Sequence, residues 1–177
     1  MTTLRCTAKF LKRFGVERPP DPPPGDNVLG DWYANILFLK GAHVLLCVSE
    51  RSRLPVVASA RWLRDFPSQF PRLVGDILAE LGVPSDAADR ERGRMIPMAF
   101  GPTRSRSVLG TLNDFAAMLK VSWNERPDLS LFDWSLRLAE TPCSPLDGRR
   151  PRDVTLELLA PQNRFRVIRG GSGRAVP

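Results

Sequence analysis

At 177 residues, 42% hydrophobic and 25% charged, the chain lies in the ordinary globular range and is long enough for one domain with a real core. No window approaches the ~18 consecutive apolar residues of a membrane span, and one histidine with three scattered cysteines excludes a histidine cage or a cysteine zinc site. The net charge of +7 is uneven, because residues 148–177 hold seven arginines against two acids and leave only +2 for the remainder.

Arginine accounts for 22 of the 26 basic residues, a bias that fits a GC-rich coding sequence as readily as phosphate recognition. The first fourteen residues share the basic, acid-free composition of a presequence, but they also read as a strand and short helix of the fold. The expectation is therefore a cytoplasmic protein with reduced, mostly buried Cys6, Cys47 and Cys143, no cofactor, no metal and no membrane partner.

In chain order, Leu4 to Thr7 predicts a short strand and Ala8–Phe14 a helical turn or two stopped by Gly15. Arg18-Pro19-Pro20-Asp21-Pro22-Pro23-Pro24-Gly25 predicts a stiff extended connector on the surface, since each proline removes an N–H and fixes φ. Two apolar β-type runs, Trp32–Leu39 and His43–Val48, flank Lys40-Gly41-Ala42 and predict an antiparallel hairpin. Both are nearly continuous in apolar residues, which places the hairpin centrally and covers both its faces. Leu54–Ala58 adds a third strand, with Pro55 forcing it to an edge or a strand start.

Phe70, Leu73, Val74, Ile77, Leu78 and Leu81 recur at helical spacing before Gly82, predicting a helix over 68–81. Ser85 to Arg94 reads as a solvated loop or helix surface, and Met95–Phe100 as a strand running into Gly101-Pro102. With Ser107 as N-cap, Val108, Leu109, Leu112, Phe115, Ala116 and Leu119 form one apolar helical stripe. Ser130–Ala139 is a further amphipathic helix, Thr141–Gly148 a turn-rich exit, Val154–Leu159 a pairing or coil segment, and Gly170–Gly173 a flexible tail. The fold class expected is α+β: a single compact domain over residues 1–147, with a central antiparallel hairpin or sheet packed against several amphipathic helices. Residues 148–177 form an Arg-rich C-terminal extension.

Two clusters carry possible chemistry. The stripe opposite the apolar one bears Arg106, Gly110, Asn113, Asp114 and Ala117, and Arg104 precedes it. A helix N-terminus with two guanidiniums is suited to phosphate or carboxylate. The alternative is that Arg106 pairs with Asp114 or another carboxylate and Asn113 satisfies nearby backbone. In the second cluster, Asp31, Tyr33 and Asn35 alternate along a strand and share one face. The alternative there is that Trp32 and Tyr33 are core or rim aromatics and Asp31 a turn residue. His43 reads as a strand or turn residue rather than a catalyst.

Gly-Asp-Trp-Tyr-Ala-Asn (30–35) and Arg-Ser-Val-Leu-Gly-Thr-Leu-Asn-Asp (106–114) follow an opening Leu4-Arg5-Cys6-Thr7-Ala8-Lys9 and precede Thr141-Pro142-Cys143-Ser144-Pro145-Leu146. Together these strings, spanning most of residues 4–146, resemble a bacterial family of domains of unknown function. The resemblance implies one compact α+β domain and a bacterial setting. It brings no activity, substrate or catalytic residues, and the tail after Gly148 lies outside it.

Three functions follow as expectations. The first is a non-catalytic binding or regulatory domain for an anionic partner such as nucleic acid, with Arg104, Arg106, Asn113 and Asn35 as ligand contacts and help from the C-terminal arginines. The second is an enzyme on a phosphate-containing substrate, a metal-independent ribonuclease or nucleotidyl transferase, with Asp31, Tyr33 and Asp114 as catalytic candidates. The third is a protein–protein module using the proline segment or the aromatics Trp123, Phe132 and Trp134.

Overall fold

The computed structural model describes residues 1–16 and 20–160. Arg18 and Pro19 of the connector, the glycine tail at 170–173, and Arg164, Arg166, Arg169 and Arg174 lie outside the described residues. Five strands, β1 (Thr2–Cys6), β2 (Trp32–Leu39), β3 (Ala42–Ser49), β4 (Pro55–Ser59) and β5 (Met98–Pro102), form one mixed sheet in the order β4-β3-β2-β1-β5. The hairpin β2–β3 and the pair β3–β4 are antiparallel, whereas β1 runs parallel to both β2 and β5. Among the described residues six α-helices complete a single α+β domain: α1 (Ala8–Phe14), α2 (Phe66–Glu80), α3 (Ser85–Arg94), α4 (Arg106–Ser122), α5 (Leu131–Ala139) and α6 (Pro151–Leu159).

Strand alternation sorts the apolar residues onto two faces. Trp32, Ala34, Ile36, Leu45, Cys47 and Val56 face one core, filled by α1, α2 and α3, where Trp32 meets Phe70 edge-on at 5.0 Å. Tyr33, Leu37, Leu46, Val48 and Val57 face the other, covered by Val108, Leu112, Phe115 and Leu119 of α4. A near-continuous apolar hairpin is the consequence of having helices on both sides. The edge strand β4 is sealed by α5: the Val57 N–H, pointing out of the sheet, donates to Ser135 Oγ at 2.8 Å, and that hydroxyl donates to Leu131 O.

Local signals act where the chain must stop. Gly15 ends α1 in the left-handed region at φ 78°, a conformation that is cheap only for glycine. Gly101 is needed for proximity instead: a Cβ there would stand 2.7 Å from Pro22 Cδ and 3.0 Å from an Arg5 guanidinium nitrogen.

Four local expectations are corrected. The N-cap of α4 is Ser105, not Ser107; Ser105 Oγ accepts from Val108 N, and Ser107 Oγ instead accepts from Arg53. Residues 95–97 lead into β5 rather than forming it, and the strand runs on to Pro102 in register with Cys6. Val154–Leu159 belongs to a helix, α6, which Pro151 opens at its first position and whose Leu159 enters the first core. In the polar run 85–94, a helix, Glu91 is buried to 1% exposure, because its carboxylate receives Val28 N at 2.7 Å, Leu29 N at 2.8 Å and Asn27 Nδ2 at 3.2 Å.

Candidate functional site

Asp31 and Tyr33 stand on the α4 face of the sheet, at the end where Arg104 and Arg106 begin α4. Arg5 of β1 connects the two groups. Its Nε donates to Asp31 Oδ2 at 2.8 Å and its Nη1 to Asp21 Oδ1 at 2.7 Å, while Arg104 donates to the second oxygen of Asp21. Asp31 also receives Gly25 N at 2.7 Å. The extended segment 20–25 is thus a strap across β1 and β5, held by Asp21, by Pro22 on Gly101, and by Thr3 Oγ1 donating to Pro23 O.

Tyr33 is 1% exposed, and its hydroxyl accepts from Ser105 N at 3.1 Å, anchoring the start of α4 to the sheet. Burial raises its pKa. Asn35 turns to the N-terminus of α1, where its Oδ1 accepts from Thr7 Oγ1 and from Ile36 N, both at 2.9 Å. Asn113 and Asp114 are exposed on α4. Asp31, Tyr33 and Arg104 therefore meet in one hydrogen-bonded region, whereas Asn35 faces α1 and Asn113 and Asp114 lie further along α4. The contacts made by Asp31, Tyr33 and Arg104 are packing contacts, and the three hollows described below are lined by other residues.

Arg53, which the sequence does not single out, joins this region from the β3–β4 turn. It is 8% exposed with φ 58°, donates to Ser107 Oγ at 3.0 Å and to Glu50 O, and leaves its Nε without a partner. Burial lowers its pKa. Burial also pushes the nearby Cys143 thiol up, opposed by Arg53 and assisted by Asp114.

The arginines that begin the C-terminal extension are matched with acids. Arg149 pairs with Glu157, Arg150 with Glu140 and Asp153, and Arg152 with Glu140. Among the described residues Arg72, Arg94, Arg106 and Arg137 are exposed without such matching, and a group of six further unmatched cations stands at the opposite end of the sheet, around the β2–β3 turn. Lys9, Lys12 and Arg13 of α1, Lys40 of the turn, and Arg61 and Arg64 beside β4 are all exposed. Among the described residues none of the six takes part in an ion pair.

A hollow of about 690 Å³ lies there, lined by Arg13, His43, Arg61 and Trp123 among others. A second hollow of about 530 Å³ shares Arg13, Ala60 and Arg61 with it and adds Arg64, so the two adjoin across those residues and together form the trough considered below. Segments 8–16, 38–44 and 59–65 contribute one acid, Asp65, to that end. On the far wall Asp128 is taken up by Arg126. A third hollow of about 580 Å³, between α4 and α5, is lined by Met118, Trp134, Leu138 and Pro142 among others.

Lys9, Lys12 and Arg13 share a helix face at i, i+3 and i+4 spacing, a signal visible in the sequence. That Lys40, Arg61 and Arg64 join them depends on the hairpin and the turn after β4, which no local pattern specifies.

A mixed-sheet α+β domain with helices on both faces and a basic trough at the hairpin end is the class of structure defined here. The chain belongs to the family described as Domain of unknown function (DUF6933), whose model matches residues 3–154. The match runs past Gly148 into α6, so Arg149, Arg150 and Arg152 lie inside the family's span. No curated protein and no solved structure matches the chain. Among the described residues no helix is long and apolar enough to cross a membrane, and no group of three or more His, Cys, Asp or Glu side chains is arranged to hold a metal ion.

Proposed function

We propose that this domain is a non-catalytic binding module for an anionic partner, working in the cytoplasm, and that the trough at the hairpin end is its docking surface. The observation that carries the reading is the group of six exposed cations, Lys9, Lys12, Arg13, Lys40, Arg61 and Arg64, without carboxylate partners around a concave surface. Several other arginines are engaged in the fold, Arg5 with Asp31 and Asp21, Arg104 with Asp21, and Arg150 with Glu140 and Asp153, whereas Arg72, Arg94, Arg106 and Arg137 are exposed singly without an ion pair among the described residues. Cations held apart from acids keep a field that a polyanion can use. Three free, buried thiols accord with a reducing compartment.

Arg104 and Arg106 sit at the start of α4 and Trp123 of the trough at its end, a separation of roughly 25 Å along the 17-residue helix. The two surfaces are separate, and the trough is the better matched to an anion.

Heparin binding by the purified chain at stepped sodium chloride tests the reading. The wild type should bind at low salt, and Arg61→Ala with Arg64→Ala should weaken binding and flatten the salt dependence. Arg104→Ala with Arg106→Ala should bind like the wild type. Absence of heparin binding at low salt would remove the proposal, and a loss confined to the Arg104/Arg106 variant would move the surface to the start of α4.

A further inference from the structure

We infer that the partner of the basic end is a single-stranded nucleic acid, whose phosphates meet Arg13, Arg61 and Arg64 in the trough while its bases stack on Phe38 and Trp62, which stand outside the trough's lining. This rests on the trough being an anion-binding surface, and it specifies which polyanion the surface fits.

The exposed aromatics carry the step. Among the described residues six large apolar side chains are strongly exposed, and the two aromatic ones, Phe38 at 50% and Trp62 at 36%, both lie at the basic end. Among the other described phenylalanines, Phe10, Phe66, Phe70 and Phe115 are buried and Phe14, Phe100 and Phe132 half-buried, so strong exposure is particular to Phe38 rather than general to the residue type. Phe38 is opposite His43 across the hairpin, with the two rings edge-on at 4.7 Å, and His43 itself lines the trough. Lys9 Nζ stands 4.1 Å from the Phe38 ring centroid. Trp62 shares a single 3-10 turn, Ala60–Leu63, with Arg61 and is two residues from Arg64.

Cations beside exposed aromatic side chains are what an unpaired strand requires, with Lys9 lying over one face of the Phe38 ring. Every base has a π-face, so an aromatic platform binds without regard to sequence while guanidiniums and ammoniums follow the backbone. A duplex keeps its base faces stacked inside and offers nothing to Phe38 or Trp62. An anionic bilayer also attracts cations and aromatics, but it is flat at this scale, whereas Arg13, Arg61 and Arg64 line a concavity.

The test is fluorescence anisotropy with a labelled oligothymidylate, an abasic strand of the same length, and a duplex of the same length, beside heparin and phosphatidylserine vesicles. The full chain should bind oligothymidylate more tightly than the abasic strand or the duplex. Phe38→Leu with Trp62→Leu should weaken oligothymidylate binding by about fivefold or more, the scale of a lost stacking contact, and leave heparin binding as it was. Leucine keeps apolar bulk at both positions, and the abasic comparison reads stacking in the unaltered protein. Equal affinity for oligothymidylate and the abasic strand would overturn the inference, as would preference for the duplex or the vesicles, while heparin binding would leave the wider reading in place. Failure of heparin and every strand to bind at low salt would overturn both.

Discussion

Arg5 and Asp31 form an ion pair of 2.8 Å in which the two side chains are 1% and 4% exposed, and the proline strap closes over it through Asp21. A charge taken out of water in this way is tolerable only while its partner and hydrogen bonds remain. Arg5→Met should therefore cost about 3–5 kcal/mol of stability by urea unfolding, since it strands a buried carboxylate. Arg5→Met combined with Asp31→Asn should recover part of that loss. A cost below about 1 kcal/mol for Arg5→Met would mean that solvent reaches Asp31.

Glu91 of α3 holds the same loop by its residues just before Asp31. Its carboxylate gathers Val28 N, Leu29 N and Asn27 Nδ2 and fixes the turn that leads into β2. Glu91→Ala should destabilise the domain by about 3 kcal/mol or more, the scale of several buried donors left unpaired. Glu91→Gln keeps one acceptor oxygen and should cost less. Thermal and urea unfolding of the two variants would separate hydrogen bonding from charge.

The thiols predict a chemical silence. Cys6, Cys47 and Cys143 are all buried, and burial pushes each thiol up, so thiolate is scarce near neutral pH. Titration with a disulfide reagent at pH 8 should register almost no reaction in the native protein and three thiols after unfolding. Rapid modification of one thiol in the native state would show that its burial is incomplete.

Asp21 gives the strap a pH dependence. The Arg104 hydrogen bond, with Arg5 assisting, holds its carboxyl below the usual range. A depressed carboxylate contributes in full above the unfolded value of about 3.9, and the contribution disappears as pH falls through the lower folded value. Amide exchange at Gly25 and neighbouring residues should thus accelerate below about pH 4 relative to the unfolded-chain rate. In Asp21→Asn that acid-side change should be much reduced.

Much of the sheet was legible because its signals are local: alternating or continuous apolar runs, Gly41 at the turn, and Pro55 at the start of β4. The parallel pairing of β1 with β2 and β5 was not, since it joins residues far apart in sequence with no periodicity of their own. Ser105 and Ser107 are equally good caps by residue type, and tertiary contacts distinguish them, the Tyr33 hydroxyl at Ser105 N and the reach of Arg53 to Ser107. The helix α6 had a readable start in Pro151 and Asp153, obscured by the surrounding arginines. Of the site, Arg104 and Asp31 read as candidates in two separate clusters, and Asp21, the acid that joins their network, reads in sequence only as an interruption in a proline run.

The seal between Ser135 and Val57 has a consequence beyond the monomer. A sheet edge with free N–H groups is a template on which further chains can grow. Here β4 is closed by the α5 hydroxyl, while β5 is five residues long, follows Pro97 and ends in Pro102, neither of which can donate. Growth of this protein into strand-paired filaments is obstructed at both margins, and loss of the Ser135 hydroxyl would reopen one of them.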